Sequence, residues 1–530
     1  MEKTNKLYKP DTLFKNKKFI IPVLAVNLLF RIYLAFQPME FLDGAFILDD
    51  PYYSLTIAKN IANGLGPSYG GQYTNGFQPL YVFMMVPVYM ITKADLIAPI
   101  RASLVICSVI DTLTLLMLLK IFSKIASSYY TLILLCVLWI LNFYVILNTL
   151  NCLETSLSLL FITVSLYYYM ELKKRPNDMR TQIKLGAALG LAVFARLDNI
   201  FLIASILILD IIGHVKYKGD NILYIRKIGV ILLTALLVYA PWVIYSYVYT
   251  GDIYQISGKA VRLLSITLSG EQTSFENFYV IILKGAGLII LYTNAILIGL
   301  IVLILLILIS LGQYDKKRTL ILNLSQSHPL ILYGSMLFIV YVFYIFGYWY
   351  FYRYFYPLML MFLSIALISF DYLNSLSIKE AYLQRMQIAI IVVVTAACII
   401  NPQFKNIFYD KERSNAGYMN IGLWASRSFK PGTIVGAAQS GAIGYFASNL
   451  NIINLDGVVN KECYEALKEK RYIEYIKDKK IEFIVGWVSS FQLIPLRSPN
   501  LREGDIIRMG KIKEFKTENY EWFLARVQYP

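Results

Sequence analysis

Histidine is nearly missing from this chain of 530 residues: there are two, His214 and His328, both in polar connecting stretches and far apart in sequence. They can build neither a zinc site nor a nucleophile, base and acid triad on the face where the acidic candidates below fall. Cysteine is almost as scarce. Cys107, Cys136, Cys152 and Cys398 lie in or beside apolar segments, Cys463 stands apart, and no CxxC pair occurs, which excludes a disulfide framework and a cysteine metal site. Acids are few as well, 34 Asp and Glu against 50 Lys and Arg for a net charge of +16. Much of that basic excess sits in short loops between apolar runs, where positive-inside sorting puts it, so it marks topology and no nucleic-acid partner. A nucleotide loop is lacking too. "GAAQSGAIG" at 436–444 has strand-to-helix surroundings, but no Lys and Ser or Thr follow Gly441.

What the chain has in abundance is apolar surface: 57% of its residues are hydrophobic and only 16% charged, more than a water-soluble core can hide. It reads as a polytopic membrane protein. Segments able to cross about 30 Å of hydrocarbon fall at 20–36, 79–91, 102–119, 131–150, 155–170, 183–195, 200–212, 230–249, 282–311, 330–346, 357–370 and 388–400. A lysine-rich start with no small-residue cleavage site after the first segment implies a retained first span and a cytoplasmic amino terminus. The loop 37–77, with Glu40, Asp43, Asp49 and Asp50 against the single base Lys59, then lies outside. Basic loops at 173–180, 214–227, 314–318 and 377–385 fall inside, and the tail from 401 falls outside. A cytoplasmic start and an outer tail need an odd number of crossings, so one segment is expected to be re-entrant, interfacial or merged, with 11 to 13 spans in all. After residue 400 the composition turns mixed, and 433–487 reads strand, helix, strand, amphipathic helix, strand. The expected fold class is thus an α-helical polytopic membrane domain, 1–402, followed by a small extracytoplasmic α/β domain, 403–530.

The residues that could carry chemistry cluster on the outer side. In "LDDPYYSLTIAKNIANGLG" a short amphipathic helix is expected to begin at the acids, and Asp50 with Pro51 behind it could be simply a helix cap. That accounts for one acid and leaves the other. Two acids at a bilayer surface, ahead of "GGQYTNGFQPLY", suit a site in which one carboxylate takes a proton and its neighbour orients an acceptor or holds a divalent cation, Mg or Mn. Tyr52, Tyr53, Asn75 and Gln78 offer the neutral hydrogen bonding that sugars need. "FARLDN" puts Arg196 and Asp198 in an apolar run, either as a structural pair or as part of the site. Arg353 in "RYFYP" and Lys259 in "YQISGKAVR" could each hold a lipid phosphate, and Lys259 could equally be a solvated charge. Glu154 in "NCLETSL" opens an apolar segment, an ordinary place for an acid.

A cytoplasmic start, one span and an acidic pair heading a long outer loop resemble the GT-C class of membrane glycosyltransferases, which includes protein O-mannosyltransferases, aminoarabinose transferases and mycobacterial arabinofuranosyltransferases. The resemblance rests on "DDPYYSLTIAKNIANGLG", "YTNGFQPLY", "LETSL", "ARLDN", "YAPWVIYSYVYTGDIYQISGKA", "RYFYP", "GAIGYF" and "NLDGVVN", in that order from Asp49 to Asn460. It implies a polyprenyl-phosphate-linked donor sugar, a glycan, lipid or protein hydroxyl as acceptor on the extracytoplasmic face of the cell membrane, and Asp49 or Asp50 as catalytic base. Cys152 departs from the small residue expected there, which leaves Glu154 without an assigned role. A glycan ligase and a lipid-linked sugar flippase are the competing readings.

Overall fold

A computed structural model of the chain describes residues 10–93, 95–217, 220–269, 285–311, 328–345, 352–409, 417–512 and 521–529. The basic loop at 314–318 lies outside the described residues. Among these, seven helices are long and apolar enough to cross a membrane: Lys17–Ala35, Ala98–Ile125, Leu197–Lys216, Asn221–Thr250, Gly285–Ser310, Tyr352–Ser375 and Glu380–Ile400. Pro79–Thr92 and His328–Tyr344 are shorter apolar helices, and Thr155–Lys174 and Met179–Ala195 are further helices of 20 and 17 residues. The polytopic helical fold is the one expected. Helices Ile200–Tyr217 and Asn221–Thr250 extend into the stretch 214–227 from either side, since long basic side chains let a helix continue past the hydrocarbon edge.

The segment expected at 131–150 is a bent helix pair, Tyr129–Ile140 and Phe143–Thr149, meeting at 56°, the geometry of a broken span or a re-entrant loop. No proline marks the break. Asn142 caps the second half by accepting from Tyr144 N at 2.9 Å, while Arg31 from the first span donates to the carbonyls of Ile140 at 2.9 Å and Trp139 at 3.1 Å. The break thus leaves partnered the N–H of Tyr144 on one side and the carbonyls of Trp139 and Ile140 on the other. Arg31 is fully buried and is balanced by Asp111, Nε to Oδ2 at 3.4 Å, which also accepts from Asn27 and Trp139.

The first loop holds helix Asp50–Ala62 and a two-stranded hairpin, β1 (Ser68–Tyr69) and β2 (Gln72–Tyr73). Pro51 fits the first turn, and Asn63 with Gly64 at φ +77° ends the helix. The carboxy-terminal sheet runs β4-β3-β5-β7-β6, from β3 (Ile434–Ala437), β4 (Asn451–Asn454), β5 (Phe483–Trp487), β6 (Ile506–Lys511) and β7 (Trp522–Val527). Strand β3 is parallel to β4 and β5, and β7 is antiparallel to β5 and β6. Helix Gly441–Phe446 connects β3 to β4, as the strand, helix, strand pattern requires. One apolar core runs from Leu34 and Ile57 of the membrane domain into Val435, Ile443 and Trp522 of this domain, so the first loop and the sheet fold against each other.

Candidate active site

The two adjacent acids have different surroundings. Asp49 is 6% exposed, and its two carboxylate oxygens accept from Gly441 N at 3.0 Å and Ala442 N at 2.8 Å. Its side chain makes no cap to its own helix; it caps a helix of the carboxy-terminal domain. The expectation that Asp50 caps the helix behind it is also not met, because helix Asp50–Ala62 already includes Asp50. Asp50 instead forms an ion pair with Arg353, its side chain 34% exposed. The divergence follows from helical backbone at Asp49, φ −72° and ψ −40°: successive side chains leave a helix about 100° apart.

Arg353 lies between Asp50 and a cavity of about 280 Å³ lined on its apolar side by Phe46, Leu48 and Ile296 and on its polar side by Asn148, Thr293 and Arg353 itself. The half-helix Phe143–Thr149 forms one wall, and Tyr144 hydroxyl donates to Tyr352 O, fixing the short turn that carries Arg353. The Arg353 guanidinium stacks over Tyr354 at 5.1 Å, and Arg196 approaches the same ring at 5.8 Å.

Arg196 and Asp198 are brought together as expected, and Glu154 joins them. Arg196 donates to Glu154 at 2.9 Å and bidentately to Asp198 at 3.1 and 2.7 Å, and Tyr341 hydroxyl bonds both Arg196 and Asp198. With two acids on one buried guanidinium, Arg196 has no charge to spare for a ligand. Lys259 is ion-paired with Asp252 and is not among the residues lining the cavity. Tyr52, Tyr53 and Asn75 are likewise committed. Tyr52 donates to Asp43 at 3.0 Å; Tyr53 donates to Ala438 O and accepts from Ser440 N, both at 3.0 Å. Asn75 donates to Ser246 and Tyr254 and accepts from Ile256 N. Gln78 precedes helix Pro79–Thr92, with its side-chain oxygen buried and without a hydrogen-bond partner among the described residues.

Sequence reasoning assigned no role to Asp43. It is buried, accepts from Met419 N at 2.8 Å at the start of helix Tyr418–Ser428, and so does at the preceding helix what Asp49 does at helix Gly441–Phe446. Loss of water pushes the Asp49 carboxyl up to about 7, opposed by the Ala442 N–H and reinforced by the Asp50 charge. The same desolvation raises Asp43 to about 7 and Asp456, in the turn after β4, to about 7. The donor set does not suit a divalent cation: both Asp49 oxygens hold backbone N–H groups and Asp50 holds a guanidinium. Among the described residues no three His, Cys, Asp or Glu side chains are grouped to ligate a metal.

A family model described as a domain of unknown function (DUF8728) matches residues 405–524. Among curated proteins none matches the chain. Solved structures do. ArnT from Cupriavidus metallidurans in the apo state superposes with a TM-score of 0.59 at 9% identity, covering 96% of this chain and 98% of that one. The same protein bound to undecaprenyl phosphate gives 0.58 at 9% identity, with 96% and 98% covered. The oligosaccharyltransferase AglB from Archaeoglobus fulgidus, in complex with an inhibitory peptide and a dolichol-phosphate, gives 0.52 at 13% identity, covering 91% of this chain and 71% of that one. The fold of the chain is GT-C-like.

Proposed function

We propose that the chain is an integral membrane glycosyltransferase that moves a sugar from a polyprenyl-phosphate donor to an acceptor hydroxyl, on the extracytoplasmic face, with inversion. The observation that carries this reading is the pairing of Asp50 with Arg353 beside a largely apolar cavity. A prenyl chain needs apolar walls, its phosphate a fixed cation, and the acceptor a carboxylate, and these three stand together there. That the similar folds of ArnT and AglB were solved with undecaprenyl phosphate and dolichol-phosphate supports a lipid phosphate as the ligand.

In this reading the donor phosphate takes Arg353 away from Asp50. Freed of its ion pair, the Asp50 carboxylate accepts the acceptor's hydroxyl proton as that oxygen bonds to the anomeric carbon. The bond from that carbon to the phosphate oxygen breaks, and the polyprenyl phosphate leaves with its added charge facing Arg353. The acids on Arg196 keep that residue out of competition for the phosphate.

The test is transfer from polyprenyl-phosphate hexose and pentose donors by the purified chain in liposomes, beside Asp50→Asn. Transfer by the parent chain, abolished in the variant, supports the reading. Full transfer by the variant removes Asp50 as base, and donor crossing the bilayer without transfer makes the protein a flippase.

A further inference from the structure

The carboxy-terminal domain grips the first loop at points that bracket Asp50. Seven residues ahead of it, Asp43 seats on Met419 N. Immediately ahead, Asp49 seats on Gly441 N and Ala442 N. Three residues after it, nearly one helical turn, Tyr53 bonds Ala438 O and Ser440 N. Further along, Tyr69 hydroxyl donates to Ser440 O at 2.6 Å. The fit is close enough that a Cβ on Gly441 would collide with the Asp49 carbonyl, and one on Gly76 with the carbonyl of Val458. The glycine pattern set aside above as a failed nucleotide loop therefore has an occupant: its N–H groups receive a carboxylate from the chain's own first loop.

We propose that Asp49 is a positioning residue that fastens the start of helix Asp50–Ala62 to the carboxy-terminal domain and so aims Asp50 at Arg353, making sugar transfer depend on that domain being docked. This rests on the glycosyltransferase reading for its catalytic half and on the geometry alone for its docking half. The mechanical logic is that a side chain one residue from the base, held by two backbone donors, leaves the helix no rotation about its axis. Any roll that carried Asp50 away from Arg353 would pull Asp49 off Gly441 and Ala442. Asp43 and Tyr53 resist the same roll from either side. A reactive carboxylate displaced by as little as an ångström costs about a hundredfold in rate, so the docked domain sets turnover more than donor affinity.

The experiment uses the full chain in detergent and two readouts. Hydrogen exchange of the amides of Gly441 and Ala442 and of helix Asp50–Ala62 is measured without donor. Asp49→Ala is expected to speed exchange in both segments together, by about five- to tenfold, and Tyr69→Phe by less, while Asp50→Asn leaves both as in the parent. Transfer from a polyprenyl-phosphate sugar is then measured. Asp49→Ala lowers kcat by about a hundredfold with KM for the donor little changed. Asp49→Asn, which still offers one acceptor oxygen, recovers most of that loss, as no substitute for a general base could. Exchange at 441–442 unaltered by Asp49→Ala overturns the docking half. Asp49→Asn as inactive as Asp50→Asn, with parent-like exchange, overturns the positioning role and makes Asp49 a catalytic residue. A parent chain that transfers nothing refutes the glycosyltransferase reading and with it the catalytic half, while exchange still decides the docking.

Discussion

Helix Asp50–Ala62 separates two polar regions of opposite character. Toward the carboxy-terminal domain, Asp49, Tyr53 and the neighbouring Asp43 and Tyr69 are paired with backbone groups at 2.6 to 3.0 Å. Toward the membrane domain, Asp50 meets Arg353 at the edge of a cavity and keeps a third of its side chain exposed. The first arrangement is buried and made with backbone groups, and the second is a partly exposed ion pair beside a cavity. Adjacent acids of one helix start can thus meet opposite surroundings.

The sharpest way to break the comparison is Asp50→Asn, for which transfer is expected to fall by up to about 10⁴-fold, near 5 kcal/mol of barrier, with melting behaviour unchanged; turnover assays and thermal melts decide it. Next is Arg196→Met. It strands Glu154 and Asp198 as buried, unpaired charges, for a loss of roughly 3–5 kcal/mol of stability, read as a lower melting temperature in detergent.

A pH series probes the buried carboxyls. Asp43, Asp49 and Asp456 are each raised to about 7 by loss of water, so the folded chain retains protons that the unfolded chain releases. Their contribution to stability is fully present below the ordinary carboxylate value. It declines as pH rises from about 4 through about 7, by at most about 1.4 kcal/mol per pH unit for each group. Melting temperature should drop from pH 5.5 to pH 8, and the drop should shrink in Asp43→Asn. The smallest effect is expected of Tyr53→Phe. Losing its hydroxyl removes contacts to Ala438 and Ser440 for about 1 kcal/mol of docking, with donor KM unmoved; a raised KM would instead return Tyr53 to the substrate site.

Much of the scaffold was legible because it is written locally. Apolar runs became helices, the helix behind the two acids starts where Pro51 allows it, and the tail alternates strand and helix as its pattern reads. Arg196 with Asp198, and Arg353 after an aromatic stretch, stood out because a charge in such surroundings has to be matched. What could not be read is what depends on distant partners. The bend at 141–142 carries no breaker residue, and its arginine comes from a helix more than a hundred residues earlier. Asp49 and Gly441 are 392 positions apart, and neither periodicity nor spacing couples them. Gly76 has no room for a side chain beside Val458, a contact made far along the chain. The three glycines at 436–444 were a signal that something closely approaches that backbone; the visitor being a carboxylate of the same chain had no local trace.

Arg31 closes the end of one half of a bent span, and the other half is a wall of the cavity. That wall stands on the helical bundle, whereas Asp50 follows a first loop whose side chains clasp the backbone of the sheet domain. The pocket is a composite of two inheritances. Its lining comes from segments 44–51, 142–153, 292–297, 352–353 and 401–403, whereas the residues that hold Asp43 and Asp49, next to the acid at its edge, lie between 419 and 442.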